Sequence, residues 1–135
     1  MSRSLFLGAI VLFLAGCQSP AERLPINRLP DDSPPLPYAE LLTRARMQAS
    51  AANEAFYVNR WSDLQDAAQG LEQTARFLSK ATEVPAPQKE KLPDRSASLG
   101  KEAGALRQAA QAQDVTKTNE ALQRVNLQVR ELRLD

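Results

Sequence analysis

Chemistry needs a nucleophile, a base or a metal ligand, and this chain holds few of them. Cys17, which closes the run Leu14-Ala15-Gly16-Cys17, is the only cysteine, and there is no histidine among the 135 residues. Nucleophilic catalysis requires a serine or cysteine beside a base; Ser50, Ser62, Ser79, Ser96 and Ser98 have no imidazole to serve them. A di-iron bundle requires inward Glu-x-x-His pairs, and zinc wants imidazole or thiolate, so neither site can be assembled. Asp63 and Asp66 share a helix face and would touch a calcium ion loosely. Carboxylates at a helix start also answer the positive end of its dipole, and that reading is preferred. Paired carboxylates for hydrolysis need a cleft, and no long loop insertion is present to build one. The chain is therefore read as a non-enzyme, with no catalytic residue, cofactor or metal site.

The lone cysteine takes its meaning from what precedes it. Met1 to Gly16 has the parts of an export signal: Arg3 at the charged start, the apolar run Leu5 to Leu14, and the small pair Ala15-Gly16 at the cut. A bilayer span needs about 20 apolar residues, more than this run supplies. Leu14-Ala15-Gly16-Cys17 resembles the lipobox of bacterial lipoproteins. The resemblance implies that Cys17 is lipidated on sulfur, that the chain is cut before it, and that the new amine is acylated, as with palmitate. Each buried methylene contributes about 0.8 kcal/mol, so several acyl chains on one residue give a firm membrane anchor. The same resemblance implies a place in the bacterial cell envelope, facing the periplasm. Gln18 follows the cysteine where an Asp would favour the inner membrane, so the outer membrane is the expected address.

Removal of the first 16 residues leaves 119, enough for one domain with a modest core and a tail. Its 16 acidic side chains balance 16 basic ones once Arg3 is gone. A nucleic-acid binder would show a basic excess or face, and none is evident. With Cys17 lipidated no disulfide is available, so stability has to come from packing. Gln18 to Pro37 holds six of the nine prolines, which excludes helix and central strand there. This segment reads as a tether, able to lift the domain roughly 60 Å at about 3.1 Å per residue. Leu24, Ile26 and Leu29 are spaced apolar residues that would dock on the domain or a partner; a free spacer is the preferred reading.

From Tyr38 the pattern turns helical. Residues recur at steps of three and four, all apolar but Ser96 and Thr118, in Tyr38, Leu42, Ala45, Ala49, Ala52, Phe56; in Trp61, Leu64, Ala68, Leu71, Ala75, Leu78; in Leu92, Ser96, Leu99, Ala103, Leu106, Ala110; and in Val115, Thr118, Leu122, Val125, Val129, Leu132. That spacing keeps one stripe on one side of each helix. Asn59, or Ser62 with Gln65 one turn later, is expected to cap the second helix, and Asp114 the fourth. Pro85 and Pro87 separate the middle pair, with a turn from Gln88 to Lys91, and the third helix starts near Pro93. Short turns at Asn59 and Asp114 make each pair a hairpin. The predicted fold is all-α, an antiparallel up-down-up-down four-helix bundle over residues 38–135, after a signal peptide at 1–16 and a lipidated tether at 17–37.

Trp61-Ser62-Asp63-Leu64, with Asp114 opening a last helix that runs to Arg133, resembles the cytochrome c′ family over roughly Tyr38 to Asp135. Those are four-helix bundles whose last helix carries Cys-x-x-Cys-His near its end. The two cysteine positions fall here on Val129 and Leu132, and the histidine position on Arg133. Covalent c-type haem needs those thiols and usually an imidazole on iron. The resemblance therefore implies the fold without the haem attachment, and Met47 alone is a poor substitute ligand.

Two groups of residues remain as a partner surface. Tyr57 and Phe77 sit one place off their stripes, either as flanks of the core or as an exposed apolar patch, and the flank is preferred. Arg124, Arg130 and Arg133 lie on the last helix. Cations at a helix C-terminus complement its dipole, and that explanation holds unless these arginines meet Arg44 or Arg46 in space. The expected function is a non-catalytic interaction or structural module of the envelope, bound to the membrane through its lipid and to a protein partner. The alternative is a cytochrome c′-related bundle that binds haem or another small apolar ligand non-covalently.

Overall fold

The computed structural model describes residues 28–133. The leader, Cys17, Leu24 and Ile26 lie outside the described residues. Five helices follow in order: α1 (Tyr38–Tyr57), α2 (Trp61–Leu78), the single turn α3 (Ala86–Lys89), α4 (Leu92–Gln111) and α5 (Val115–Glu131). No strand occurs among the described residues; Pro37 and Thr82 form one isolated bridge. The all-α class is as expected, and the four long helices pack as a bundle. α2 lies closely against both α1 and α4, and α4 against α5, whereas α1 and α5 meet only sparsely.

The heptad-like stripes become the core. Leu64, Ala68, Leu71, Ala75 and Leu78 of α2 are buried, as are Leu92, Ser96, Leu99, Ala103, Leu106 and Ala110 on α4. On α5 the stripe begins at Thr118, and Val115 is 59% exposed, because the first residue of the helix lies beyond the packed layer. On α1 the buried line shifts by one place at both ends. Leu41 and Ala55 are buried where Leu42 and Phe56 were expected, and the latter two flank the core. Phe56 instead meets Trp61 edge to face, with ring centroids 6.2 Å apart. Phe77 is also core, at 4% exposure.

The buried pattern repeats at a spacing of 54 residues. Tyr38 and Leu92, Ala45 and Leu99, Ala52 and Leu106, Leu64 and Thr118, Ala68 and Leu122, Leu71 and Val125, and Leu78 and Leu132 are all buried pairs at that offset. The turns repeat too. After α1, Asn59 takes φ 57°, its N–H donates to Phe56 O, and the Arg60 N–H donates to Ala55 O. After α4, Gln113 takes φ 51°, its N–H donates to Ala110 O, and the Asp114 N–H donates to Ala109 O. Both are Schellman closures with a side-chain-bearing residue at the left-handed position.

These turns correct one cap and support another. Asn59 ends α1 rather than capping α2; the residue before α2 is Arg60, and no side chain caps that start. Asp114 does cap α5, its Oδ1 accepting from the Lys117 N–H at 3.0 Å. Of the turn expected at Gln88–Lys91, Gln88 and Lys89 belong to α3 and Glu90 and Lys91 form the turn, and Pro93 lies in the first turn of α4, where no donor is missed.

The proline-rich stretch is not a free spacer throughout. Over residues 28–37 it lies along the bundle. The Leu29 N–H donates to Gln73 Oε1 at 2.9 Å, and Gln73 Nε2 donates back to Leu29 O at 2.6 Å. Further on, the Thr82 N–H donates to Leu36 O and the Tyr38 N–H to Thr82 O, both at 2.9 Å. Leu29 and Leu36 pack against the core, so the docking alternative describes this part of the segment.

Candidate functional site

The C-terminal end of α5 borders a groove lined by three arginines. A helix leaves its last carbonyls without intrahelical donors. Here three successive ones are taken by three other elements. Arg95 of α4 donates from Nη1 to Glu131 O at 2.7 Å. The Tyr38 hydroxyl of α1 donates to Leu132 O. Gln88 of α3 donates from Nε2 to Arg133 O at 2.8 Å, while its Oε1 accepts from Arg95. Burial raises the pKa of Tyr38, against a smaller lowering by the Arg95 charge. The negative end of α5 is thus answered without the side chains of Arg130 or Arg133.

Those two side chains point elsewhere. Because α1 and α5 meet sparsely, a groove of about 610 Å³ lies between them. Arg46 lines it from α1, and Arg130 and Arg133 line it from the end of α5. Asn53 and Asn126 close the far end. Asn53 Nδ2 donates to Asn126 Oδ1 at 3.0 Å, and Asn126 Nδ2 donates to Asn53 Oδ1 at 3.1 Å. Ala49 and Val129 give it an apolar floor, and Thr43, Met47 and Ser50 complete the wall. Among the described residues no carboxylate lines this groove, and its three arginine side chains have no ion pair or hydrogen bond. Arginine forks, amides and hydroxyls are donors whose chemistry suits oxyanions.

The residues singled out from sequence divide accordingly. Arg130 and Arg133 do meet a cation of α1, but it is Arg46; Arg44 is not in the lining. Arg124 is on another face of α5 and pairs with Glu102 of α4 at 2.6 Å. Of the two alternatives for Phe77 the core one describes it, since it is buried within the apolar cluster and leaves the partner surface. Tyr57 is 82% exposed at the α1–α2 turn, beside exposed Val58. Asp63 pairs with Arg60 at 3.7 Å at the start of α2. The sequence offers Arg44 and Arg46 alike, because nothing in their spacing says which of the two faces the end of α5. Tyr38, Gln88 and Arg95 as caps were not legible at all.

Among the described residues no cluster of three or more acidic, cysteine or histidine side chains is placed to hold a metal, and no helix is long and apolar enough to cross a membrane. Cys17, the lipidation candidate, lies outside them. No protein-family model, no curated protein and no solved structure matches this chain.

Proposed function

We propose that this protein is a lipid-anchored, non-catalytic interaction module of the bacterial cell envelope, facing the periplasm from the outer membrane and holding an anionic partner in the groove between α1 and α5. The fold that carries it is an up-down-up-down bundle of antiparallel neighbours. Support comes from which residues meet: the first residue of α1 reaches Leu132 after α5 and Thr82 after α2. Glu72 of α2 takes the fork of Arg107 near the end of α4, at 2.9 and 3.3 Å, while Gly100, a turn and more earlier, faces Ala75.

One observation carries the functional reading: arginines of α1 and of the α5 C-terminal end line one groove that holds no acid among the described residues. Like charges brought together cost free energy unless a counter-charge arrives, and an anion supplies it. The cytochrome c′-like alternative needs an apolar cavity and an iron ligand, and this groove offers arginine, amide and hydroxyl groups instead. For the anchor, the support is Leu14-Ala15-Gly16-Cys17 itself.

Two measurements test the reading. Full-length protein should sediment with membranes and carry acyl mass on Cys17, and Cys17→Ser should release it; an intact leader or a bare thiol on the membrane-bound protein refutes the anchor. Titration with a mixed panel of anions should give salt-sensitive binding that R46A/R130A/R133A removes. Absence of binding to every anion, or a Soret band that survives gel filtration after expression with haem, refutes the groove's assignment.

A further inference from the structure

We propose that the α1–α5 groove is a phosphomonoester site, seating a terminal phosphate among Arg46, Arg130 and Arg133 and the uncharged, hydroxyl-bearing body of the same molecule toward Asn53 and Asn126. The inference rests on the anion-binding reading above and narrows it to one ligand class.

The charge count comes first. Three arginines line the groove with no carboxylate beside them among the described residues. A carboxylate or a phosphodiester brings one negative charge. A phosphomonoester brings about −1.5 to −2 at pH 7 and three acceptor oxygens. Arginine is the side chain whose planar donors match those oxygens two at a time. Nor are these arginines needed for the helix that carries two of them, because Arg95, Tyr38 and Gln88 already serve the α5 carbonyls.

Size and polarity then choose among phosphates. From Thr43 to Asn53 the groove follows ten residues of α1, about 15 Å at a rise of 1.5 Å per residue. Its volume of about 610 Å³ is that of a small-molecule site, which spans roughly 300–1,000 Å³. Arg130 and Arg133 sit at the Tyr38 end, Arg46 at the middle of α1, and the amides further along, with Asn53 in the last third of α1. At the amide end Asn126 spends one N–H on Asn53 and keeps another, and the Ser50 hydroxyl has no partner among the described residues. Ala49 and Val129 lie beneath as a carbon surface. A molecule with one dianionic end and a short polyol or glycerol body meets all of these. Such a group occurs on soluble sugar and glycerol phosphates and on a phosphatidate headgroup, and the groove recognises what they share.

The test uses the full-length protein in neutral detergent, with glycerol 3-phosphate and glucose 6-phosphate as soluble probes and an oligoglutamate peptide and sulfate as rivals. Vesicles of neutral lipid with 10% phosphatidic acid, and others with 10% phosphatidylglycerol, form the membrane arm. The soluble phosphomonoesters or the phosphatidic acid vesicles should bind, with each single arginine-to-alanine change weakening binding about tenfold and the triple change at least a hundredfold. Arg130→Lys should fall between, since it keeps charge and loses the fork, and Lys101→Ala on α4 should change nothing. Amide shifts at Asn126 and Ser50 on titration report the site independently of affinity. Binding to vesicles alone assigns the headgroup as the source, and binding to soluble probes alone assigns a solute. Preference for oligoglutamate or sulfate over every phosphomonoester overturns this inference and leaves the anion reading standing. No binding by any anion overturns both, and phosphate binding that the triple change leaves intact overturns the location.

Discussion

Replacing Tyr38 with phenylalanine removes a single oxygen and tests the capped end of α5. The ring is 1% exposed, and phenylalanine fills the same space, so the packing term is nearly constant. What is lost is the donor to Leu132 O. A buried carbonyl left without a partner costs about 1–3 kcal/mol. Arg95 and Gln88 are already engaged with the carbonyls on either side, so neither replaces it cheaply, and a loss of about 1.5–2 kcal/mol is expected. At roughly 4 °C per kcal/mol for a domain of this size, the thermal midpoint should fall by about 6–8 °C. The pH dependence has a definite sign. Burial raises the phenol's pKa above its ordinary 10.0, so the stability it contributes is complete below pH 10 and disappears as pH rises through the folded value. Circular dichroism melts at pH 7, 9 and 11 should therefore show a gap between the two proteins that is constant at first and closes in the alkaline range. Equal midpoints at pH 7 would mean that Leu132 O has another donor. Arg130 and Arg133 would then return as helix caps, and the case for a free arginine groove would weaken with them.

Other substitutions read the rest of the fold. Leu71→Ala and Leu122→Ala, at buried positions of α2 and α5, should each lower stability by about 2–5 kcal/mol in denaturant titrations; an unchanged midpoint would displace those stripes. Gln113→Gly should raise stability by about 0.5–1 kcal/mol, because φ 51° suits glycine. Gly70→Ala would gain helix propensity but sets its Cβ 2.8 Å from Gln48 Nε2, in a fully buried side chain held by Thr74 at 2.7 Å. A net loss of about 1 kcal/mol is expected, recovered when Gln48→Ala is added, and strict additivity of the pair would disprove the contact.

Local pattern made much of this fold legible. Leucine and alanine at steps of three and four marked all four long helices, and Asp114 announced the start of α5 because a cap depends on three neighbouring residues only. The boundaries failed where the cause was non-local. Asn59 looks like a cap in sequence, yet the chain uses its tolerance of positive φ to end α1. The choice of Leu41 over Leu42 depends on how far α1 is rotated against α2, and a stripe about 100° wide admits both. The arginines of α5 could be named, but their role turned on Arg46 some eighty residues away and on carbonyls already claimed by Tyr38, Gln88 and Arg95. Such groupings belong to the packing of elements rather than to any one of them.

The strap at residues 28–37 decides how a mechanical load would enter the molecule. A pull from the N-terminal side meets the paired amide contacts of Leu29 with Gln73 before it can reach the first turn of α1. That places the force on α2, the helix wedged between two close neighbours, and spares the end of α1 where Tyr38 holds α5. The strap works as a cable clamp does, taking tension upstream of the joint it protects.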